Sequence, residues 1–429
     1  MINYWDYRDI RKVARRPPMG WNSRNSHGTT VTEADVKTVA DYMAAHLLPF
    51  GYEYIIIDMG WYAAGSDGEA AREAFPRQSI DAHGRLLPDP TRFPSAGNGG
   101  FKPLADYVHS RGLKFGLHVM RGIPIQAVQR NAPVLGSNVR ARDIMKFEDR
   151  CAFYEGMYAV DMHCSGALEY YQSLFSLYNR WGVDFIKADD MVGRTQHFEE
   201  VKAFRYNLDQ SRRPMILSLA PGPCDYRERS FVSQYADAFR ISGDLEDDWT
   251  ALRGMFALCR QWQGQTGPGH WGDCDLMPLG ILRGGASGGG ERQTRLTPEE
   301  QRTLVTLWSI FRSPLMLGMD VTRLDPFALS LITNRRVLQV NQESIANEES
   351  WFDATASIWT ACAADRHERY LAFFNLGDAP RVLQIDLERF GIGGPCAVAD
   401  LWSGEPQTIV SGRLEALVEP HACRLLALA

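Results

Sequence analysis

The sequence predicts an α/β protein: a (β/α)8 TIM barrel followed by a C-terminal antiparallel β-sandwich. Three observations lead there. Eight short apolar runs alternate with helical stretches before residue 341, the pattern of a parallel sheet, and eight such units suit a closed barrel. Polar residues collect at one end of those runs, among them Asp58, His118, Lys187, Asp189, Ser218, Arg240, Asp244, Asp273 and Asp275. After about Asn341 helical periodicity gives way to short β-rich segments divided by turns, such as RYLAFFNL and CRLLALA. The predicted organisation is an N-terminal extension at 1–16, a barrel at 17–341 and an antiparallel β domain at 342–429. A doubly wound open sheet is the competing fold, but no glycine-rich phosphate loop follows the first strand.

In chain order, Met19 to Ser23 reads as a strand opening after Pro17 and Pro18. Thr32 to Leu48 is helical, with Thr32 and Asp35 spaced as an N-terminal start signal. Tyr52 to Asp58 (YEYIIID) is a buried strand ending on an aspartate, and a loop rich in Gly, Pro and Asp runs to about Gly100. Helix Phe101 to Arg111 precedes strand Leu113 to Val119; residues 121–165 then form a long insertion with little regular pattern. Helix Ala167 to Trp181 leads into a strand from Val183 that carries Lys187 and Asp189, two residues apart and therefore on one face. Helix Phe198 to Gln210, strand Met215 to Ala220, strand Phe239 to Asp244 and helix Asp248 to Gly264 follow. A polar strand end at Gly269 to Asp275, the flexible GGASGGG segment at 284–290, helix Pro298 to Phe311 and strand Pro314 to Met319 complete the barrel.

Composition narrows the function classes. At 429 residues and 45% hydrophobic the chain can bury a large core, and a net charge of -6 gives no basic face for nucleic acid. No run reaches the roughly 18 apolar residues of a membrane span. The N-terminus has no apolar signal-peptide core, and the eight cysteines are scattered without CxxC or zinc spacing, so they read as reduced thiols in a cytoplasmic protein. Whether Cys151 and Cys164 meet across a loop stays open. No metal or cofactor is expected, the partner is a small glycoside or oligosaccharide, and homo-oligomerisation is compatible with the sequence.

Asp189 and Asp244 end two strands on the same predicted barrel mouth. Paired carboxylates across a sugar site serve glycoside hydrolysis, one as nucleophile and one as acid/base. A separation of roughly 5–5.5 Å corresponds to retention of configuration. Lys187 is expected to keep Asp189 ionised, and Arg240 to clamp a carboxylate or sugar diol. Lys187 as a Schiff-base lysine is disfavoured by Asp189 and Asp190 beside it, which preserve its charge. A magnesium enzyme lacks a compact ligand pattern, and a non-catalytic sugar-binding protein on the same fold is the reading from another class.

These motifs together resemble the melibiase-type α-galactosidases and α-N-acetylgalactosaminidases of glycoside hydrolase family 27. The likeness runs through PPMGWNS (17–23), IIIDMGW (55–61), DFIKAD (184–189), FRISGDLEDDW (239–249), GHWGDCDLM (269–277), SPLMLGMDVTRL (313–324) and VLQVNQE (337–343). The resemblance implies a retaining hydrolase with a barrel and a C-terminal β domain, without a catalytic metal. It implies Asp189 as nucleophile, Asp244 as acid/base, and Asp58, Lys187 and Arg240 as sugar contacts. Trp271, Asp273 and Asp275 match a motif near the barrel mouth and are assigned a structural role, as is Trp21. Asn341 and Gln342 mark the domain hinge.

The departures from that family concern the substrate-binding shell. Arg24 replaces a tryptophan, Met59 replaces the second of two aspartates, His118 stands where tyrosine is common, and Met191 where a cysteine often follows the nucleophile. The strand-five turn SLAPGP, starting at Ser218, lacks the Cys-Glu-Trp of many relatives. In relatives the residues replaced by Arg24 and Met59 line the O4/O6 side of the sugar. The primary expectation is an exo-glycosidase for terminal α-D-galactoside-like residues. A β-L-arabinopyranoside, galactose-shaped without the hydroxymethyl, or an α-N-acetylgalactosaminide admitted by the small residues of strand five, are the alternatives.

Overall fold

The computed structural model describes residues 13–63, 77–97, 99–193, 197–283, 290–365, 367–390, 392–404 and 408–429. Most of the expected 1–16 extension, and six of the seven residues of the GGASGGG segment, lie outside them. Eight strands, β1 (Met19–Asn22), β2 (Tyr54–Ile57), β3 (Lys114–Met120), β4 (Phe185–Val192), β5 (Ile216–Pro221), β6 (Ala238–Arg240), β7 (Trp271–Asp273) and β8 (Leu315–Leu317), form one sheet in the order β7-β6-β5-β4-β3-β2-β1-β8. Every pairing in it is parallel. The two ends of the sheet meet beyond β7 rather than along it. Met277 bridges Leu317 in parallel, its N–H donating to Met316 O at 2.8 Å.

Helices fill the intervals: α1 (Glu33–His46), α2 (Lys102–Ser110), α3 (Ala167–Trp181), α4 (Phe198–Asp209), α5 (Arg229–Tyr235), α6 (Trp249–Trp262) and α7 (Pro298–Phe311). Two more, α8 (Pro326–Ile332) and α9 (Arg335–Glu343), follow β8. Their starts follow local chemistry. Thr32 and Asp35 form a reciprocal capping box on α1, Thr297 and Glu300 do the same on α7, and Asp248 caps α6. Gly182 ends α3 at φ 84°, a left-handed conformation that glycine adopts without a Cβ penalty.

Three segments depart from the sequence reading. The stretch before β6 contains α5. The 121–165 insertion is ordered into three short antiparallel strands, Ile123–Pro124, Met145–Arg150 and Met157–Val160, with helices Ile125–Arg130 and Ala141–Ile144. Elements of two to seven residues are too short to show a period in a sequence window. Strands β6 and β7 are only three residues each, shorter than the predicted stretches Phe239 to Asp244 and Gly269 to Asp275.

The C-terminal domain is a sandwich. Strands β9 (Ser344–Phe352), β10 (Ala356–Ala363), β11 (Arg369–Asn375), β12 (Arg381–Asp386), β13 (Cys396–Asp400), β14 (Thr408–Val410), β15 (Arg413–Val418) and β16 (Cys423–Leu428) make a six-stranded sheet, β9-β10-β11-β16-β13-β14, and a facing pair, β12-β15. Helix α7 joins it to the barrel and is buried along both faces, from Glu300 to Phe311 except Arg302. Thr303 Oγ1 donates to His421 O at 2.8 Å, and Trp402 Nε1 donates to Thr306 Oγ1 at 2.9 Å. The hinge residues are structural: Asn341 Nδ2 donates to Ser313 O at 2.8 Å, and Gln342 Nε2 to Pro17 O at 3.0 Å. One continuous apolar core includes Trp21 and Trp308 of the barrel and Trp359, Phe374 and Leu425 of the sandwich.

Candidate active site

A cavity of about 690 Å³ opens at the C-terminal ends of the barrel strands, the face on which barrel enzymes place chemistry. Asp58, Lys187, Asp189, Arg240, Asp244 and Asp275 supply its charged wall, and Arg24 and Met59 flank Asp58. Residues 152–155 of the insertion and Ala220 to Gly222 at the end of β5 add to it.

The β2 end fixes Asp58. Its Oδ2 accepts from Lys187 Nζ at 2.8 Å and from Asn22 Nδ2 at 2.7 Å, while its own N–H donates to Ser23 Oγ at 2.9 Å. Burial alone would raise the Asp58 pKa; the Lys187 charge, with His118 and Arg24 behind it, holds it well below the usual carboxylate range. Lys187 in turn is raised: burial works against its charge, but Asp58 and Asp189 outweigh it. It therefore stays an ammonium.

Asp189 lies on β4 two residues beyond Lys187. Its Oδ2 is 2.7 Å from His118 Nε2, and its Oδ1 accepts from the Asp190 N–H at 2.9 Å. Burial opposes ionisation of Asp189, yet the His118 hydrogen bond and then the Lys187 charge leave its pKa below the ordinary value. His118 thus contributes ahead of the lysine that sequence reasoning credited. His118 is fully buried and off the cavity wall, so its place is behind the carboxylate rather than against a sugar. Parallel pairing sets Lys187 beside His118 on β3 in register.

Arg240 ends β6 and reaches two carboxylates: Nη1 pairs with Asp275 Oδ1 at 2.8 Å, and Nη2 with Asp244 Oδ1 at 3.3 Å. Burial, with Asp244 and Asp273 nearby, pushes Asp275 above the usual range, against the pull of Arg240. The Asp244 side chain is 55% exposed and so remains open to water and an arriving ligand.

Besides His118, two further sequence candidates do not line the cavity. Met191 is fully buried in the core, because β4 breaks register between Ala188 and Val192 and Asp190 takes φ 60°, which interrupts the alternation of side chains. Ser218 is buried level with Lys187 on β5; the wall begins two residues later, at Ala220. Sequence reading in turn missed Asn22 and Arg121. Asn22 is the C-terminal residue of β1, so the rule that selected Asp58 could have found it. Arg121, one residue past β3, is buried with its guanidinium between Asp149, Asp190 and Glu200, each at 2.8–2.9 Å. Asp149 comes from the insertion, which no periodicity revealed. Asp275, assigned a structural role, is both the partner of Arg240 and part of the wall. Trp271 is structural: its Nε1 donates to Ala14 O at 2.7 Å. Cys151 and Cys164 are unpaired, as are the other six cysteines. No described helix is long and apolar enough to cross a membrane.

Comparison with known proteins bears out the fold and shows the family. The family model for alpha galactosidase A matches residues 17–127 and 141–343, and that for the alpha galactosidase C-terminal beta sandwich domain matches 353–428. An alpha-galactosidase of Cyamopsis tetragonoloba is 26% identical over 97% of this chain and 87% of its own length. The crystal structure of a β-L-arabinopyranosidase of family 27 from Geobacillus stearothermophilus superposes with a TM-score of 0.94 at 42% identity, covering 98% of both chains. That of a candidate alpha-N-acetylgalactosaminidase from Bacillus halodurans superposes with a TM-score of 0.87 at 41% identity, covering 96% and 97%. The chain is a glycoside hydrolase and belongs to the melibiase, or α-galactosidase, family 27.

Proposed function

We propose that the protein is a retaining exo-glycosidase acting on terminal β-L-arabinopyranosides in preference to α-D-galactosides. The observation that carries this reading is Met59 on the cavity wall next to Asp58, whose carboxylate is bound to Lys187. The two sugars share the ring hydroxyls that Asp58 and Lys187 can hold, and differ by the hydroxymethyl group on C5. A thioether gives that group's hydroxyl no strong acceptor and occupies the space of a carboxylate, so the pentopyranose loses nothing that the hexose would gain. The likeness to the Geobacillus stearothermophilus enzyme supports the same choice.

In the first step the Asp189 carboxylate attacks the anomeric carbon and the bond to the aglycone oxygen breaks, Asp244 giving that oxygen its proton. In the second, water attacks the glycosyl–Asp189 ester while Asp244 takes the proton back, which frees Asp189. Asp189, held ionised by His118 and Lys187, suits the nucleophile; Asp244, exposed and oriented by Arg240, suits a group that meets leaving group and water in turn. The eight unpaired cysteines favour a reducing, cytoplasmic setting.

Hydrolysis of p-nitrophenyl β-L-arabinopyranoside, α-D-galactopyranoside and α-N-acetylgalactosaminide, with Asp189→Asn and Asp244→Asn alongside, tests the reading. The arabinopyranoside is expected to give the highest kcat/KM, and both variants to abolish turnover. A higher kcat/KM for the galactoside overturns the sugar assignment. The small residues Ala220 and Gly222 on the wall favour the acetamido sugar as second reading, and preference for that substrate would establish it.

A further inference from the structure

The cavity is larger than one pyranose ring fills, and an exo-acting enzyme must hold the remainder of its substrate between the reacting bond and solvent. Among the described residues eight large apolar side chains are strongly exposed, and of these Phe153 alone is on the cavity wall. It is half exposed. Burial of such a ring is favourable, so its exposure beside a ligand cavity calls for a reason.

The loop holding Phe153 is anchored rather than loose. On one side Cys151 is buried, and on the other Tyr154 is buried with its hydroxyl accepting from Gln78 Nε2 at 3.0 Å. The same Gln78 amide donates to Gly156 O at 2.9 Å, and Ile125 N–H donates to that carbonyl at 2.9 Å. Fixed residues therefore alternate with presented ones: Phe153 and Glu155 face outward while Tyr154 points in. An aromatic face beside a carboxylate is the pairing that recognises a pyranose, whose axial C–H groups pack on the ring while its hydroxyls donate to the oxygens.

We propose that Phe153 and Glu155 form the aglycone subsite of this enzyme and take a second pyranose residue, so that the natural substrate is an oligosaccharide rather than a small alkyl or phosphorylated glycoside. This rests on the glycosidase reading of the same cavity. It requires no new chemical step. The leaving sugar departs when its bond to the anomeric carbon breaks and its oxygen takes the Asp244 proton, and by reversal the subsite holds an acceptor sugar for transfer.

Calorimetric titration of the Asp189→Asn protein, which needs no turnover, separates the two readings. Arabinose or galactose alone reports the inner site, and a disaccharide ending in that same sugar reports both. The disaccharide is expected to bind about 3–10-fold more tightly than the monosaccharide, in line with one aromatic contact. In Phe153→Ala on the same background this ratio is expected to fall to near one, while monosaccharide affinity holds. Glu155→Gln is expected to lower the ratio partly. A ratio unchanged by Phe153→Ala, with monosaccharide bound, overturns the subsite alone. Failure of every sugar to bind overturns the glycosidase reading and the subsite with it. An equal loss for monosaccharide and disaccharide assigns Phe153 a purely structural part and also overturns the proposal.

Discussion

His118 Nε2 lies 2.7 Å from Asp189 Oδ2, and the ring that supplies this contact has no exposure to solvent. The proposed nucleophile is thus supported from behind by an imidazole, at a position where the family resemblance implies a phenol. With Oδ1 taken by the Asp190 N–H, both oxygens of Asp189 have a fixed donor or partner.

Replacing His118 by Phe removes the group that does most to hold Asp189 below its ordinary pKa. A depressed carboxylate pKa rises when its partner goes, so the acidic limb of the kcat/KM profile is expected to move to higher pH. Activity at the optimum should fall by about 10–100-fold, the value of a hydrogen bond to a charged group. His118→Tyr restores a donor and should recover most of it. A limb that stays in place in His118→Phe would show that Lys187 alone sets the ionisation.

Lys187→Met would leave Asp58 buried and ionised without its counter-charge. The expected cost is about 3–5 kcal/mol at neutral pH, read by denaturant titration. Asp58 has its folded pKa depressed, so its stabilisation is present above the unfolded carboxylate range near ~3.9 and lost as pH falls below it. Wild type and variant should therefore differ most at neutral pH and converge in acid.

Met59→Asp supplies an acceptor on the C5 side of the sugar. The ratio of kcat/KM for α-D-galactopyranoside to that for β-L-arabinopyranoside is expected to rise by at least about tenfold. An unchanged ratio would place the discrimination elsewhere on the wall, with Arg24 the next residue to vary.

Arg240→Lys keeps a positive charge but not a fork that spans Asp244 and Asp275. One ammonium cannot replace two directed N–H donors, and kcat is expected to drop about tenfold or more with a smaller change in KM. Steady-state kinetics on the preferred glycoside measures the split.

Much of this architecture was legible in the residues. A parallel strand buried on both faces leaves a run such as YIII or MILSLA, and a helix that starts with a capping residue announces its first turn, as Thr32 and Thr297 do. The same strand logic placed Asp58, Lys187, Asp189 and Arg240 at one mouth. What escaped was set by chain segments far apart in sequence. Arg121 meets Asp149 and Glu200 only after folding, and the anchored loop of Phe153 depends on Gln78. Met191 was misplaced because it was picked by its place in the family motif, and the left-handed backbone at Asp190 with the register break beside it carries its side chain into the core.

Helix α7 makes the two domains a single thermodynamic object. Cutting the chain after residue 343 would uncover the face that Thr303 and Thr306 turn toward the sandwich, and would leave Phe311, whose ring meets Trp359 edge-on, at a new surface. A severed barrel would accordingly be an aggregating fragment rather than a minimal enzyme. The sandwich acts on the reaction it never touches, by keeping folded the helix that leads into β8 and closes the ring of strands.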